Sequence, residues 1–316
     1  MNKKITVSLI LLITLLSIMG GCLQQEETFS YHGIIQEAID AAENGATIII
    51  KKGTYNELIV INKTINLKGE DKNTTVINFN PKQTISQVSI ITINADNCFI
   101  ENLQITQSNK SIKTDGISIN SNHNTIKNNI ITNLADGIKL SSNSESNTII
   151  HNEIRNNQIG IETLSSDNNN ISDNILSHNQ QYNIYLSTSS DTNKVSFNMM
   201  NNSNCGIRIK GSKENHVYKN CIKDNGRGIY CCCGANSNYL YNNALLNNSI
   251  RNGEENEGLL NIWYDALNGF GNYWDNYTGT DEDHNGIGDI PYMIPKGENQ
   301  DIYPLMTPPL DVPCHQ

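Results

Sequence analysis

The sequence predicts an all-β chain wound as a parallel β-helix, and three observations carry that prediction. The first is a repeat, Asn-x-[Ile/Val/Leu]-x-x-Asn-x-[Ile/Leu/Met], beginning at Asn124, Asn147, Asn169, Asn193, Asn215 and Asn238, a step of 22 to 24 residues. Its second Asn falls at Asn129, Asn152, Asn174, Asn198, Asn220 and Asn243. The second is a partner motif in the same phase: Gly137-Ile138, Gly160-Ile161, Asn183-Ile184, Gly206-Ile207 and Gly228-Ile229. The third is the wealth of β-branched residues at alternate positions, in a unit too short for a pair of helices. A fixed period in this range means stacked supersecondary units.

Stacking puts residues one period apart about 4.8 Å from each other on neighbouring strands. Three inward columns follow: Ile126, Ile149, Ile171, Val195, Val217, Leu240; then Ile131, Ile154, Leu176, Met200, Ile222, Leu245; then Ile138, Ile161, Ile184, Ile207, Ile229. A disordered Asn-rich tract would not keep three apolar columns in phase. The repeated Asn side chains are expected to bond turn amides from coil to coil as ladders.

At the N-terminal end, Ile34 to Gly45 places Ile35, Ala38, Ile39 and Ala42 on one helical face. This short amphipathic helix should plug the first coil, because a solenoid end exposes core and unpaired edge. Residues 30–250 are read as the β-helix with this cap, and 251–309 as a C-terminal cap. Before them, Lys3 and Lys4 precede an apolar run from Ile5 to Met19 and then Gly20-Gly21-Cys22. That pattern in 1–22 is a secretory signal of lipoprotein type, with Cys22 as the lipidation site and the mature chain on the outer face of the cytoplasmic membrane. The net charge of -10 argues against nucleic acid as a partner.

The helix followed by Gly53-Thr54-Tyr55, the Asn-rich coils, the stretch Gly271 to Asp281 (GNYWDNYTGTD) and the ending Tyr303 to Met306 together resemble the NosD family. The resemblance implies a single-stranded right-handed β-helix related to carbohydrate-binding and sugar-hydrolase β-helix domains. It also implies either copper delivery during nitrous-oxide reductase maturation beside an ABC transporter or a surface protein of unknown role; a polysaccharide or another envelope component is the partner expected for the latter.

Four groups of residues could carry chemistry. Asp281-x-Asp283-x-Asn285-Gly286-Ile287-x-Asp289 has the first half of a Ca²⁺ loop, with oxygens at alternate positions and the carbonyl of Ile287; Tyr292 stands where a bidentate Glu would complete it. Cys231-Cys232-Cys233 could hold Cu(I), form disulfides or simply pack. Alternation places Cys231 and Cys233 inward and Cys232 outward. An exposed strip of Tyr185, Arg208 and Tyr230, and a Tyr218–Tyr241 stack on another face, could bind a sugar chain. Catalysis is the fourth. The outward column Lys139, Glu162, Tyr185, Arg208, Tyr230 holds a single acid, whereas two-carboxylate hydrolysis needs a facing pair. No catalytic residue is assigned, and the expectation is an extracytoplasmic binding protein, with copper delivery or polysaccharide cleavage as the alternatives.

Overall fold

The structure, a computed structural model, describes residues 28–80, 88–108 and 113–315. Three long parallel sheets wrap around one core, with ten, nine and ten strands. One coil shows the plan: Lys194–Ser196 lies in the first sheet, Met199–Asn201 in the third and Cys205–Lys210 in the second. His216–Tyr218 then returns to the first sheet beside Lys194–Ser196. Strands of three residues suffice because each is held by a coil above and a coil below.

The apolar columns stack as the repeat requires. Ile126 pairs with Ile149, and the column runs on through Ile171, Val195, Val217 and Leu240. The other two columns hold equally. All of these residues are buried. The fully buried Trp263 and the nearly buried Trp274 cover the last coils.

Asn ladders occupy the corners. The backbone N–H and the side-chain amide of Asn152 both donate to Oδ1 of Asn174, at 2.9 and 3.1 Å. Asn174 donates in the same way to Asn198, at 3.0 Å each. The ladder from Asn124 and a third one through Asn157 and Asn179 repeat this geometry. Every rung donates toward the C-terminal end, so each ladder ends on a donor that needs an acceptor with no hydrogen of its own to place. A buried carboxylate meets that need twice. Asn261 donates to Glu255 at 3.1 Å, and Asn272 donates its backbone N–H to Asp301 at 2.7 Å.

The N-terminal helix is Ile35–Ala41, with Ile35 and Ile39 buried against the first coil. Ile34 offers no side-chain cap. Glu57 supplies one from the following coil, accepting the N–H groups of Ile35 and Gln36 at 2.9 and 3.0 Å. At the other end, coil stacking continues past residue 250: Arg251–Glu255 pairs in the second sheet and Tyr273–Trp274 in the third. The chain terminus is pinned back onto the coils by a Cys221–Cys314 disulfide across 93 residues. An ion pair between Lys219 and Asp311 at 2.6 Å supports it. No helix among the described residues is long and apolar enough to cross a membrane.

Candidate functional site

The outer face of the second sheet gathers the chemistry. Next to the Ile138 column, its outward positions run Ser118, Lys139, Glu162, Tyr185, Arg208, Tyr230 and Glu254 in consecutive coils. Two further acids join Glu162, which corrects the expectation of a single carboxylate. Asp115 and Asp136 sit beside the strip, and Asp115 accepts the Asp136 N–H at 3.2 Å. Lys139 lies 3.6 Å from Asp136 and 3.3 Å from Glu162. Strict alternation hides the two aspartates. Asp136 is two residues before inward Ile138, yet Gly137 between them also faces inward: a Cβ there would meet Ile154 and Asn157. Two successive inward positions shift the parity and turn Asp136 out, as a bulge does. Gly116 does the same for Asp115, since a Cβ there would strike Leu134 and Ile131.

The three carboxyls are poorly hydrated and close together. Burial pushes Asp136 up to about 7, and the charges of Asp115 and Glu162 add to the effect while Lys139 opposes it. A hydrogen bond from the Glu162 side chain adds to the rise at Asp136 beside its charge. Asp115 is also raised by burial, partly offset by the Asp136 amide. The arrangement suits proton transfer at one point more than two-sided hydrolysis.

Further along, Arg208 lies among three tyrosines, with its guanidinium carbon 5.3, 5.7 and 5.5 Å from the rings of Tyr182, Tyr185 and Tyr230. It donates to the Tyr182 hydroxyl and, at 3.6 Å, to the Cys232 sulfur. Beyond it, Glu254 is only 2% exposed and receives Arg227, Arg251 and Lys296 at 2.9, 3.2 and 2.9 Å. Burial alone would raise Glu254, but hydrogen bonds from Lys296 and Arg227 outweigh it and hold the carboxyl below its ordinary range. A cleft of about 390 Å³ lies elsewhere, between His151, Asp173 and Phe197 and the tail segment 310–313.

The remaining expected residues fall in separate places. Tyr218 and Tyr241 stack on the first sheet at 5.4 Å, on a different face from Tyr185. Cys231 occupies the inward column below Ile209, as alternation predicts. Cys232 faces outward but is covered, with its thiol against Arg208. Cys233, expected to point inward, is exposed: a left-handed turn with φ 58 at Cys233 and 86 at Gly234 ends the alternation. Burial raises the thiols of Cys231 and Cys232, and that of Cys205 to about 12. Without a metal, burial thus favours their protonated, thiol form. Among the described residues no three His, Cys, Asp or Glu converge as metal ligands.

In the acidic loop, Asp281 accepts the N–H groups of Asn285 and Gly286 at 3.0 and 2.9 Å, and Asp283 that of Asn285 at 3.2 Å. Asn285 accepts the N–H of Ile287, and Asp289 that of Glu282, both at 2.8 Å. These bonds shape the turn. Cys22 lies outside the described residues.

Residues 39–279 match the family described as "Periplasmic copper-binding protein (NosD)". No curated protein matches the chain. Among solved structures, an alginate lyase from Paenibacillus sp. str. FPU-7 is 16% identical, with a TM-score of 0.51, over 76% of this chain and 96% of that one. The pectate lyase Pel9A is 14% identical, with a TM-score of 0.54, over 78% of this chain and 75% of that one. At such identities the likeness is one of fold, the right-handed parallel β-helix.

Proposed function

The chain belongs to the NosD family, and on that premise we propose an extracytoplasmic, lipid-anchored β-helix that binds a sugar chain along the outer face of its second sheet and moves a proton there through Asp136. One observation carries the reading: Asp115, Asp136, Lys139 and Glu162 lie in line with the ring-lined strip Tyr182, Tyr185, Arg208 and Tyr230 on a single face. A ring-bearing strip that runs across consecutive coils suits an extended polymer better than a small molecule, which needs enclosure. In this arrangement the Asp136 carboxylate accepts a proton from the bound chain, or its carboxyl returns one. Glu162 and Asp115 keep its affinity for protons near neutrality, and Lys139 orients the pair.

The test is glycan binding and turnover measured across pH for the full chain and for Asp136→Asn. Binding should survive the substitution, and turnover should fall about a hundredfold or more. A variant that turns over a bound glycan as fast as the native chain would sink the catalytic half of the reading. Failure of the native chain to retain any glycan would sink the whole of it.

Copper handling is supported by the family alone. The described residues supply no converging soft donors, so no copper step is assigned to them. The anchor rests on the sequence around Cys22; Cys22→Ser should release the chain from membranes, and retention with an uncleaved N-terminus would contradict it. Calcium at Asp281, Asp283, Asn285, Ile287 and Asp289 rests on spacing. A melt unmoved by millimolar Ca²⁺ would leave an ordinary turn.

A further inference from the structure

Arg208 is a half-buried cation without a counter-charge. Its acceptors, the Tyr182 hydroxyl and the Cys232 sulfur, are neutral, and its Nε is buried with no hydrogen-bond partner. No carboxylate lies within ion-pair distance of it among the described residues, although acids outnumber bases by ten in the whole chain. Three aromatic rings compensate a guanidinium only in part. A charge taken from water normally acquires a partner.

The neighbourhood repeats the imbalance. Lys210, two residues along the same strand, makes no ion pair among the described residues, and Arg227, Arg251 and Lys296 share the single carboxylate of Glu254. The acids of this face sit at its other end, where Lys139 meets Asp136 and Glu162. One half of the strip is thus an electropositive patch on an acidic protein, with tyrosine rings between its charges.

We infer that the sugar chain bound here is anionic and that Arg208 receives one of its acidic groups, a carboxylate or a sulfate, while Tyr185 and Tyr230 pack on the rings. This rests on the sugar-chain reading above and names its substrate class. A guanidinium held only by rings and neutral acceptors keeps a charge that such a group can neutralise. Arg208 lies three coils from the Lys139 coil, about 14 Å along the stack, so it sets specificity and position and does not touch the group that Asp136 serves.

Titration calorimetry with a galacturonate oligomer, its methyl ester and a sulfated dextran oligomer separates the possibilities, using the native chain, Arg208→Gln and Arg208→Lys. The native chain should bind an acidic oligomer at least about tenfold more tightly than the neutral ester, and added salt should shrink the difference. The tighter of the two acidic oligomers identifies the anion. Arg208→Gln should abolish the preference, and Arg208→Lys, which keeps the charge and loses the fork, should retain part of it. Thermal melts confirm folding of both variants. Equal binding of acid and ester by the native chain would overturn the anionic assignment and leave the sugar-chain reading standing. An acid preference that survives in Arg208→Gln would overturn the role of Arg208. Absence of binding to every oligomer would overturn both readings.

Discussion

At the corners of the coil nearly every turn presents the same residue, an Asn, while along the outward column of the second sheet from Ser118 to Glu254 no two neighbouring coils present the same one. The two regions share one backbone and one period. The difference lies in what each position must satisfy. A corner Asn faces the same two groups in each coil, an amide below and a carbonyl-bearing turn above, so one side chain answers all of them. An outward position faces solvent and its ligand, and nothing in the fold selects its residue. Uniformity along the stack therefore marks structure, and variety along it marks a surface free to take up chemistry.

The sharpest way to break the ladder is at its end. Asp301 accepts Asn272 N–H at 2.7 Å, Trp274 Nε1 at 2.9 Å and Tyr303 N–H at 3.0 Å, all in a buried site. Asp301→Ala leaves these donors unpaired and should cost about 3 kcal/mol or more in denaturant unfolding. A loss under about 1 kcal/mol would mean that the ladder needs no terminal acceptor.

One rung inside the ladder matters less. Asn174→Leu strands the amides of Asn152 and should cost about 1–3 kcal/mol, read as a lower midpoint with an unchanged m-value. An unaltered melt would remove the ladder from the account of stability.

The pH dependence follows from the same terminal acid. Burial raises Asp301 to about 6 in the folded chain, above its value in an unfolded one. Its contribution is therefore fully present below about pH 4 and is lost as the pH rises through about 6. Asp301→Asn removes that term, so the stability gap between native chain and variant should narrow from pH 4 to pH 7. A constant gap would show that the carboxyl does not titrate on folding.

The smallest expected change in stability is on the outer face. Tyr185→Ala and Glu162→Gln should shift stability by about 0.5 kcal/mol or less, since neither side chain holds a turn or fills the core. The second should nevertheless lower the pKa of Asp136 from about 7, because Glu162 raises it by charge and by hydrogen bond; a carboxyl-resolved NMR titration reads this directly. An Asp136 unmoved by Glu162→Gln would dissolve the pair. Large destabilisation by either variant would place this face with the structural corners.

How much of this was legible in advance depended on periodicity. Ile171 and Asn174 announce their places because an aliphatic residue and an Asn return one coil above and below, and stacking a coil on its copies leaves one solution. The strip of Tyr185, Arg208 and Tyr230 could be placed for the same reason, by counting outward from an inward isoleucine. Asp115 and Asp136 could not: a glycine bulge shifts the inside–outside parity, and only the backbone path reveals it. A glycine directly before an inward Ile and directly after an acid was the available signal. Cys233 failed in the same way, since a left-handed turn ended the strand one residue early.

The sequence by itself determined the repeat, the three apolar columns, the ladders and the outward strip, because each rests on residues one period apart whose neighbours are copies of themselves. Tertiary structure alone decided the rest. It brought Asp301 and Glu255 from outside the repeat to end the ladders, and joined Cys221 to Cys314 across 93 residues. Those contacts join residues that no period relates, so only the folded path of the chain brings them together.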